Sequence, residues 1–120
     1  MICGIGIDLT LTSRVKMAIK KSPRLMERIY TDPEKKYCLS KANPWPHFAA
    51  RFAAKEAFIK AWGTVVLPKE IETIVAKGGR PSLKFYGKTA ELLKKNRIKR
   101  CHLSLSHEGD YAIASVLLEV

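Results

Sequence analysis

Acidic side chains are in short supply in this sequence. Eleven Asp and Glu stand against twenty-two Lys and Arg, which leaves a net charge of +11 at pH 7. Such an excess attracts polyanions, be they nucleic acid, an acidic protein, a phosphorylated cofactor or an anionic membrane, and does not choose among them. Cysteine is sparse too: Cys3, Cys38 and Cys101 are odd in number, scattered and without Cys-x-x-Cys spacing. That argues against a disulfide framework or zinc site and predicts a reducing, cytoplasmic compartment. No apolar run is long enough to span a bilayer, and Met1-Ile-Cys-Gly4 lacks the charged and apolar regions of a signal peptide. Several chemistries lack their signatures. There is no Walker loop, no Gly-x-Gly-x-x-Gly ahead of a helix (Gly4-Ile-Gly6 leads to Asp8 instead), and no glycine elbow or matched Asp/His spacing of a hydrolase. Repeats, low-complexity tracts and linkers are also missing. Residues 1–120 are therefore expected to form one domain, and 47% hydrophobic content excludes a disordered chain.

The sequence that remains divides into a β start, a helical middle and a β finish. Ile2–Leu9 reads as a strand in which Ile5, Ile7 and Leu9 alternate with Gly4, Gly6 and Asp8. Helical spacing runs from about residue 13 to 29 through Val15, Ile19, Leu25 and Ile29, with a break and restart at Ser22-Pro23. Asp32-Pro33-Glu34 opens a helix that runs toward Ser40, and Asn43-Pro44-Trp45-Pro46 is a breaker. A long helix follows over Phe48–Thr64. Alternation returns in Ile71–Val75 and Ser82–Tyr86, a hairpin joined at Lys77-Gly-Gly-Arg-Pro81, where Gly78 and Gly79 supply positive φ. A short helix over Thr89–Lys95 precedes a second strand pair, Cys101–Ser106 and Tyr111–Leu118. The class predicted is α+β, an antiparallel sheet packed against the long helix.

That long helix carries charges where a core helix needs none. At 100° per residue Phe48, Phe52 and Ile59 fall on one line with Trp62 beside it, and Lys55 lies in the middle of the stripe. Glu56 sits on its border with Lys60 four residues on. Glu56 is then either the helical partner of Lys60, worth roughly 0.3 kcal/mol, or a ligand. Asp8, on the glycine side of the first strand, either caps a turn or faces a site. Together the two carboxylates offer hard oxygen ligands that suit Mg²⁺, which takes one or two carboxylates and fills its octahedron with water and phosphate oxygens. Arg51, Lys55 and Lys60 either bind phosphate or cover Phe52, Phe58 and Trp62 with their stems. Arg14, Lys16, Lys20, Lys21, Arg24 and Arg28, interleaved with Met17, Leu25 and Met26, suit an acidic amphipathic helix of a partner, or form a solvated face. His107, after Ser104-Leu-Ser106, ends a strand at a tight turn, a place where a lone histidine is ordinarily structural or solvent-exposed.

In order along the chain, Gly4-Ile-Gly-Ile-Asp8, Arg14, Ile29-Tyr-Thr31 with Glu34, Arg51-Phe-Ala-Ala-Lys-Glu-Ala57, Lys60-Ala, Gly63-Thr64, Gly79-Arg-Pro81 and His102-Leu-Ser-Leu-Ser-His107 with Tyr111-Ala112 resemble the holo-[acyl-carrier-protein] synthases. The resemblance spans essentially the whole chain. It implies a small phosphopantetheinyl transferase that moves the 4′-phosphopantetheine arm of coenzyme A to a serine of apo-acyl carrier protein, releasing adenosine 3′,5′-bisphosphate in fatty acid biosynthesis. It implies a compact homotrimer with sites between subunits, and no nucleic-acid or membrane partner. By the same resemblance Asp8 and Glu56 hold Mg²⁺ against the pyrophosphate, and Lys60 approaches the phosphates or the attacking serine. Arg51, Lys55, Gly63, Thr64, Gly79, Pro81, Ser106 and His107 contact coenzyme A. Arg14, Lys21, Arg24, Leu25 and Arg28 meet the acidic carrier. The chain departs from the family where Gly63-Thr64 runs straight into Val65-Val-Leu-Pro68, in a shortened segment before Gly79, and in Arg80, where Lys is common.

Two rival readings come from other classes. One is a small basic RNA-binding domain, which ordinarily interleaves exposed aromatics with basic residues on a sheet; here Phe85 and Tyr86 have only Lys84 beside them, and the other aromatics crowd the long helix. The other is a non-catalytic interaction protein.

Overall fold

The computed structural model describes all of residues 1–120. Strand β1 (Ile2–Leu11) runs directly into α1 (Thr12–Lys21), which is followed by α2 (Arg24–Ile29) and α3 (Asp32–Leu39). Pro23 separates the first two helices. A capping box opens α3: the Thr31 hydroxyl accepts the Glu34 N–H while the Glu34 carboxylate accepts the Thr31 N–H. Helix α4 (Trp45–Trp62) begins inside the expected breaker, because Pro46 falls in the first turn, where a missing N–H costs nothing. Gly63, with φ at +85°, ends it by donating its N–H to Ile59 O at 2.8 Å. A single 3-10 turn (Pro68–Glu70) leads into the hairpin of β2 (Ile71–Val75) and β3 (Pro81–Phe85). Helix α5 (Gly87–Lys95), β4 (Arg100–Glu108) and β5 (Tyr111–Glu119) complete the chain.

The α+β class expected from the sequence is what the chain adopts, but the single sheet is divided. β1, β5 and β4 form one antiparallel sheet in that order, and β2 with β3 forms another. Helix α5 is inserted between β3 and β4. The pairing that local alternation cannot reveal joins the two ends of the chain, Ile2 opposite Glu119 through Leu11 opposite Tyr111.

Glycine decides which face of β1 meets α4. Gly4 and Gly6 lie against the helix, and a Cβ on either would collide with the carbonyl oxygen of Ala61 or Ala57. Asp8 and Thr10 continue the same face. The aliphatic side of β1 therefore points outward, with Ile5 70%, Ile7 58% and Leu9 61% exposed. Register places Ile5, Leu117 and His102 in one row across this outer face, then Ile7, Ser115 and Ser104, then Leu9, Ile113 and Ser106.

Helix α4 is enclosed on more than one side, so its buried residues are not the line drawn by Phe48, Phe52 and Ile59. Phe48, Ala53, Ala54, Ala57 and Phe58 are fully buried, while Phe52, Ile59 and Trp62 are half-buried. One core joins Ala54, Ala57 and Phe58 to Ile71, Leu93, Val116 and Leu118. A second gathers Val15, Ile19, Tyr30, Cys38, Phe48 and Ala112 under the short helices. No helix is long and apolar enough to cross a membrane.

Candidate active site

Asp8 sits within β1 and so does not cap a turn. Its carboxylate accepts the Thr10 hydroxyl at 2.6 Å and the Lys60 ammonium at 3.2 Å. Lys60 also donates to Ile7 O at 3.0 Å. The lysine thus reaches across to the strand and leaves Glu56, one turn earlier on α4, without an ion-pair partner. Burial first, and then the charge of Asp8, push the Glu56 carboxyl above its ordinary range; Lys60 pulls the other way. A half-buried carboxylate raised by a second carboxylate is an arrangement that a cation relieves. No third acidic, His or Cys side chain joins the pair into a closed cage. Two carboxylates with room for water and phosphate fit Mg²⁺ and do not fit a structural zinc.

The pair opens on a cavity of about 700 Å³ between β1, α1, α2 and α4. Its floor is apolar, from Val15, Ile19, Leu25, Ile29 and Phe52, and Arg14 stands on its wall. Of the basic set expected to meet a partner, Arg14 lines this cavity together with the half-buried Leu25, while Lys21, Arg24 and Arg28 are exposed on α1 and α2 outside its lining. The start of α1 is held by a residue that sequence reading passed over. Asp110, in the β4–β5 turn, accepts the Ser13 N–H at 2.9 Å, and its backbone carbonyl accepts the Thr12 N–H at 2.7 Å.

Two sequence-predicted ligands lie elsewhere. Lys55, expected to contact phosphate, is fully buried on the other flank of α4. Its ammonium donates to Glu34 Oε1 at 2.7 Å, to Pro68 O at 3.0 Å and to Ile71 O. Burial lowers its pKa and Glu34 works against that shift. With its protons taken and 1% of its surface exposed, it makes the structural contact that is the alternative reading of this residue. The wheel located the odd lysine correctly; the carboxylate opposite it, twenty-one residues earlier, gave no periodic signal.

Arg51 is also buried, about 140° around α4 from Glu56 by the 100° step. Its guanidinium stacks on the Tyr37 ring at 4.1 Å, Nη1 donates weakly to His47 O at 3.5 Å, and Nε has no partner. Lys41 lies over the same ring at 4.6 Å. Burial, then Arg51, Lys41 and His107, hold the His47 imidazole below its usual pKa. Arg51 and Lys41 thus share the Tyr37 ring, against which His47 packs edge-on at 5.7 Å, and the sequence singled out neither Lys41 nor His47; His107 is exposed near the end of β4. The i, i+4 spacing of His47 and Arg51 was the available clue.

Gly79 and Pro81 lie at the β2–β3 turn, and Arg80 and Pro81 border a cavity of about 420 Å³ with His102, Ser104, Ser115 and Leu117. Ser106 is exposed on the outer sheet face. Within one chain β5 stands between these residues and the Asp8–Glu56 pair. Gly63 and Thr64 are exposed just beyond Lys60 at the end of α4.

The model of the 4′-phosphopantetheinyl transferase superfamily matches residues 4–116. A holo-[acyl-carrier-protein] synthase of Koribacter versatilis is 46% identical over 124 residues, covering 99% of each chain. The crystal structure of the synthase from Neisseria meningitidis superposes with a TM-score of 0.94 at 33% identity, over 100% of both chains. An ACPS–CoA complex from Chronobacterium ammoniagenes superposes with a TM-score of 0.85 at 31% identity, over 96% of this chain and 95% of that one. The chain belongs to the 4′-phosphopantetheinyl transferase superfamily, on its holo-[acyl-carrier-protein] synthase branch.

Proposed function

We propose that the chain transfers 4′-phosphopantetheine from coenzyme A to a serine of apo-acyl carrier protein, with Mg²⁺ held by Asp8 and Glu56, and that it acts in the cytoplasm. The observation that carries this reading is the Glu56 carboxylate, raised by burial and by Asp8 and left unpaired by Lys60. When bound, the ion would neutralise the pyrophosphate and its developing charge. The bond broken joins the pantetheine phosphorus to the bridging pyrophosphate oxygen. The serine Oγ forms the new bond, adenosine 3′,5′-bisphosphate leaves with the bridging oxygen, and the serine proton passes to solvent.

The chain's own groups position and shield these partners. Lys60, with 55% of its side chain exposed, holds a positive charge beside Asp8 where phosphate oxygens would lie. Gly63 and Thr64, exposed just beyond it, are proposed to contact the same phosphates. Arg51, whose Nε has no partner, and the exposed His107 are the residues proposed for a second anionic contact at the nucleotide end. Arg14 and Leu25 at the apolar cavity, with the exposed Lys21, Arg24 and Arg28 on the same two helices, suit an acidic carrier helix.

Assembly as a homotrimer is part of the proposal. The outward row of Ile5, Ile7 and Leu9 is a surface that a second copy would bury. A neighbour could then supply Gly79, Pro81 and Ser106, which one chain keeps apart from its own carboxylates. That outer face carries aliphatics on β1, serines and His102 on the neighbouring strands and a single exposed aromatic, Tyr111, at its end, which speaks against a sheet that stacks successive RNA bases. Intact-mass spectrometry of an apo-carrier incubated with this protein and coenzyme A tests the reading. A Mg²⁺-dependent gain of one phosphopantetheine is expected; a carrier that stays unmodified in the presence of folded protein would refute it.

A further inference from the structure

Lys55 and Glu34 are buried, charged and unused by the transfer just described. Lys55 donates to Glu34, Pro68 O and Ile71 O, which occupies all three ammonium protons. Glu34 accepts in addition the Thr31 N–H and the Thr73 N–H, each at 3.0 Å. The Thr31 hydroxyl donates to Glu72 at 2.6 Å, and the Tyr86 hydroxyl donates to the same carboxylate at 2.7 Å. One polar network therefore fastens α4 to α3, to the 3-10 turn and to the β2–β3 hairpin.

Stability alone does not call for such a pair, because apolar residues of the same volume commonly serve as well or better. What the pair adds is direction. Lys55 and Glu56 are adjacent and so project about 100° apart around α4. With Lys55 fixed toward α3 and β2, Glu56 is turned toward β1 and Asp8. The other contact between α4 and β1 is smooth: Gly4 and Gly6 lie flat against the carbonyls of Ala61 and Ala57. It sets how close the helix comes, and the only polar side chain that ties the two elements is the half-exposed Lys60, bonded to Ile7 O and Asp8 one turn beyond Glu56. We infer that Lys55 and Glu34 are positioning residues that fix the rotation of α4 and so hold Glu56 against Asp8. This rests on the metal reading proposed above.

The test is a neutral replacement of similar volume, Lys55→Met with Glu34→Gln, in the full chain. Folding is checked by circular dichroism, Mn²⁺ binding is measured by electron paramagnetic resonance without substrates, and the variant is crystallised. Mn²⁺ affinity should fall roughly tenfold or more, the scale seen when groups that orient a metal ligand are removed. kcat should fall with it while KM for the carrier stays constant. The crystal structure should show α4 turned and Glu56 withdrawn from Asp8. A folded variant with wild-type Mn²⁺ affinity and an unmoved Glu56 overturns the inference. Should the wild-type protein bind no Mn²⁺, the metal reading falls and the crystal structure decides alone: a turned helix supports the positioning role and an unmoved one removes it. If the double variant does not fold, Glu34→Gln by itself is measured in the same way, with a smaller loss expected and the same result counting against.

Discussion

Lys60 bonds to Asp8 at 3.2 Å across the β1–α4 interface, and not to Glu56 on its own helix. An i, i+4 Glu–Lys pair is ordinarily satisfied locally. Here the cation is spent on the strand, and the two carboxylates share a region with one lysine between them.

Glu56→Gln and Asp8→Asn should each reduce transfer by about a hundredfold or more, since each removes a charge that the reacting phosphates are proposed to need. Both variants should fold. Steady-state turnover at saturating coenzyme A measures the loss; wild-type turnover in either would detach that residue from the reaction.

The same environment gives a pH prediction of definite sign. The Glu56 carboxyl is raised in the folded chain relative to its ordinary range. The folded state therefore holds that proton more tightly, and stability declines as pH rises from the usual glutamate value through the raised one. In EDTA, Glu56→Gln should melt no lower than wild type at pH 7, and its advantage should vanish as pH drops toward 4. Thermal melts across this range read the difference, and a variant less stable at pH 7 would contradict the account in which burial, and then Asp8, penalise the charged carboxylate.

Gly6→Ala should destabilise the chain by about 1–3 kcal/mol and lower activity along with it, because the new methyl meets the Ala57 carbonyl and pushes β1, with Asp8, off α4. Chemical denaturation gives the first number and transfer assays the second. An unchanged midpoint would mean that the close approach is not tight.

How legible the site was from sequence follows from what periodicity measures. Alternation in β1 put Asp8 on the glycine side, and the glycines proved to be the helix side, because only they admit α4 so closely. The same alternation could not say that Ile5, Ile7 and Leu9 face outward, since it reports sidedness and not which side is covered. The helical wheel places Lys55 in the middle of the apolar stripe and Glu56 on its border. It could not show Glu34 opposite the lysine, so the wheel alone does not choose between a phosphate ligand and a structural contact there. Asp110 capping α1 and β1 pairing with β5 are contacts between distant segments, and neither leaves a local pattern.

The basic mouth makes a separate, kinetic prediction. Arg14→Ala with Arg24→Ala should raise KM for the carrier and flatten its dependence on salt, with affinity for coenzyme A unchanged. Both side chains are exposed, so folding should be untouched. Equal losses for both substrates would show a general defect and not a docking surface.

The outer sheet face carries the last prediction. Ile7 is 58% exposed in the middle row, between Ile5 and Leu9 on its own strand and beside Ser115 on β5. A glutamate there would put a charge in the centre of the surface proposed to bind a second copy, and desolvating it costs far more than the assembly gains from one aliphatic side chain. Ile7→Glu should therefore run as a monomer in light scattering while keeping its circular dichroism spectrum, because the substituted side chain does not enter the core. Transfer should fall with the oligomer, since a single chain leaves Gly79, Pro81 and Ser106 away from Asp8 and Glu56. A monomeric variant with full activity would place the whole reaction within one chain, and an intact trimer would move the interface to another face.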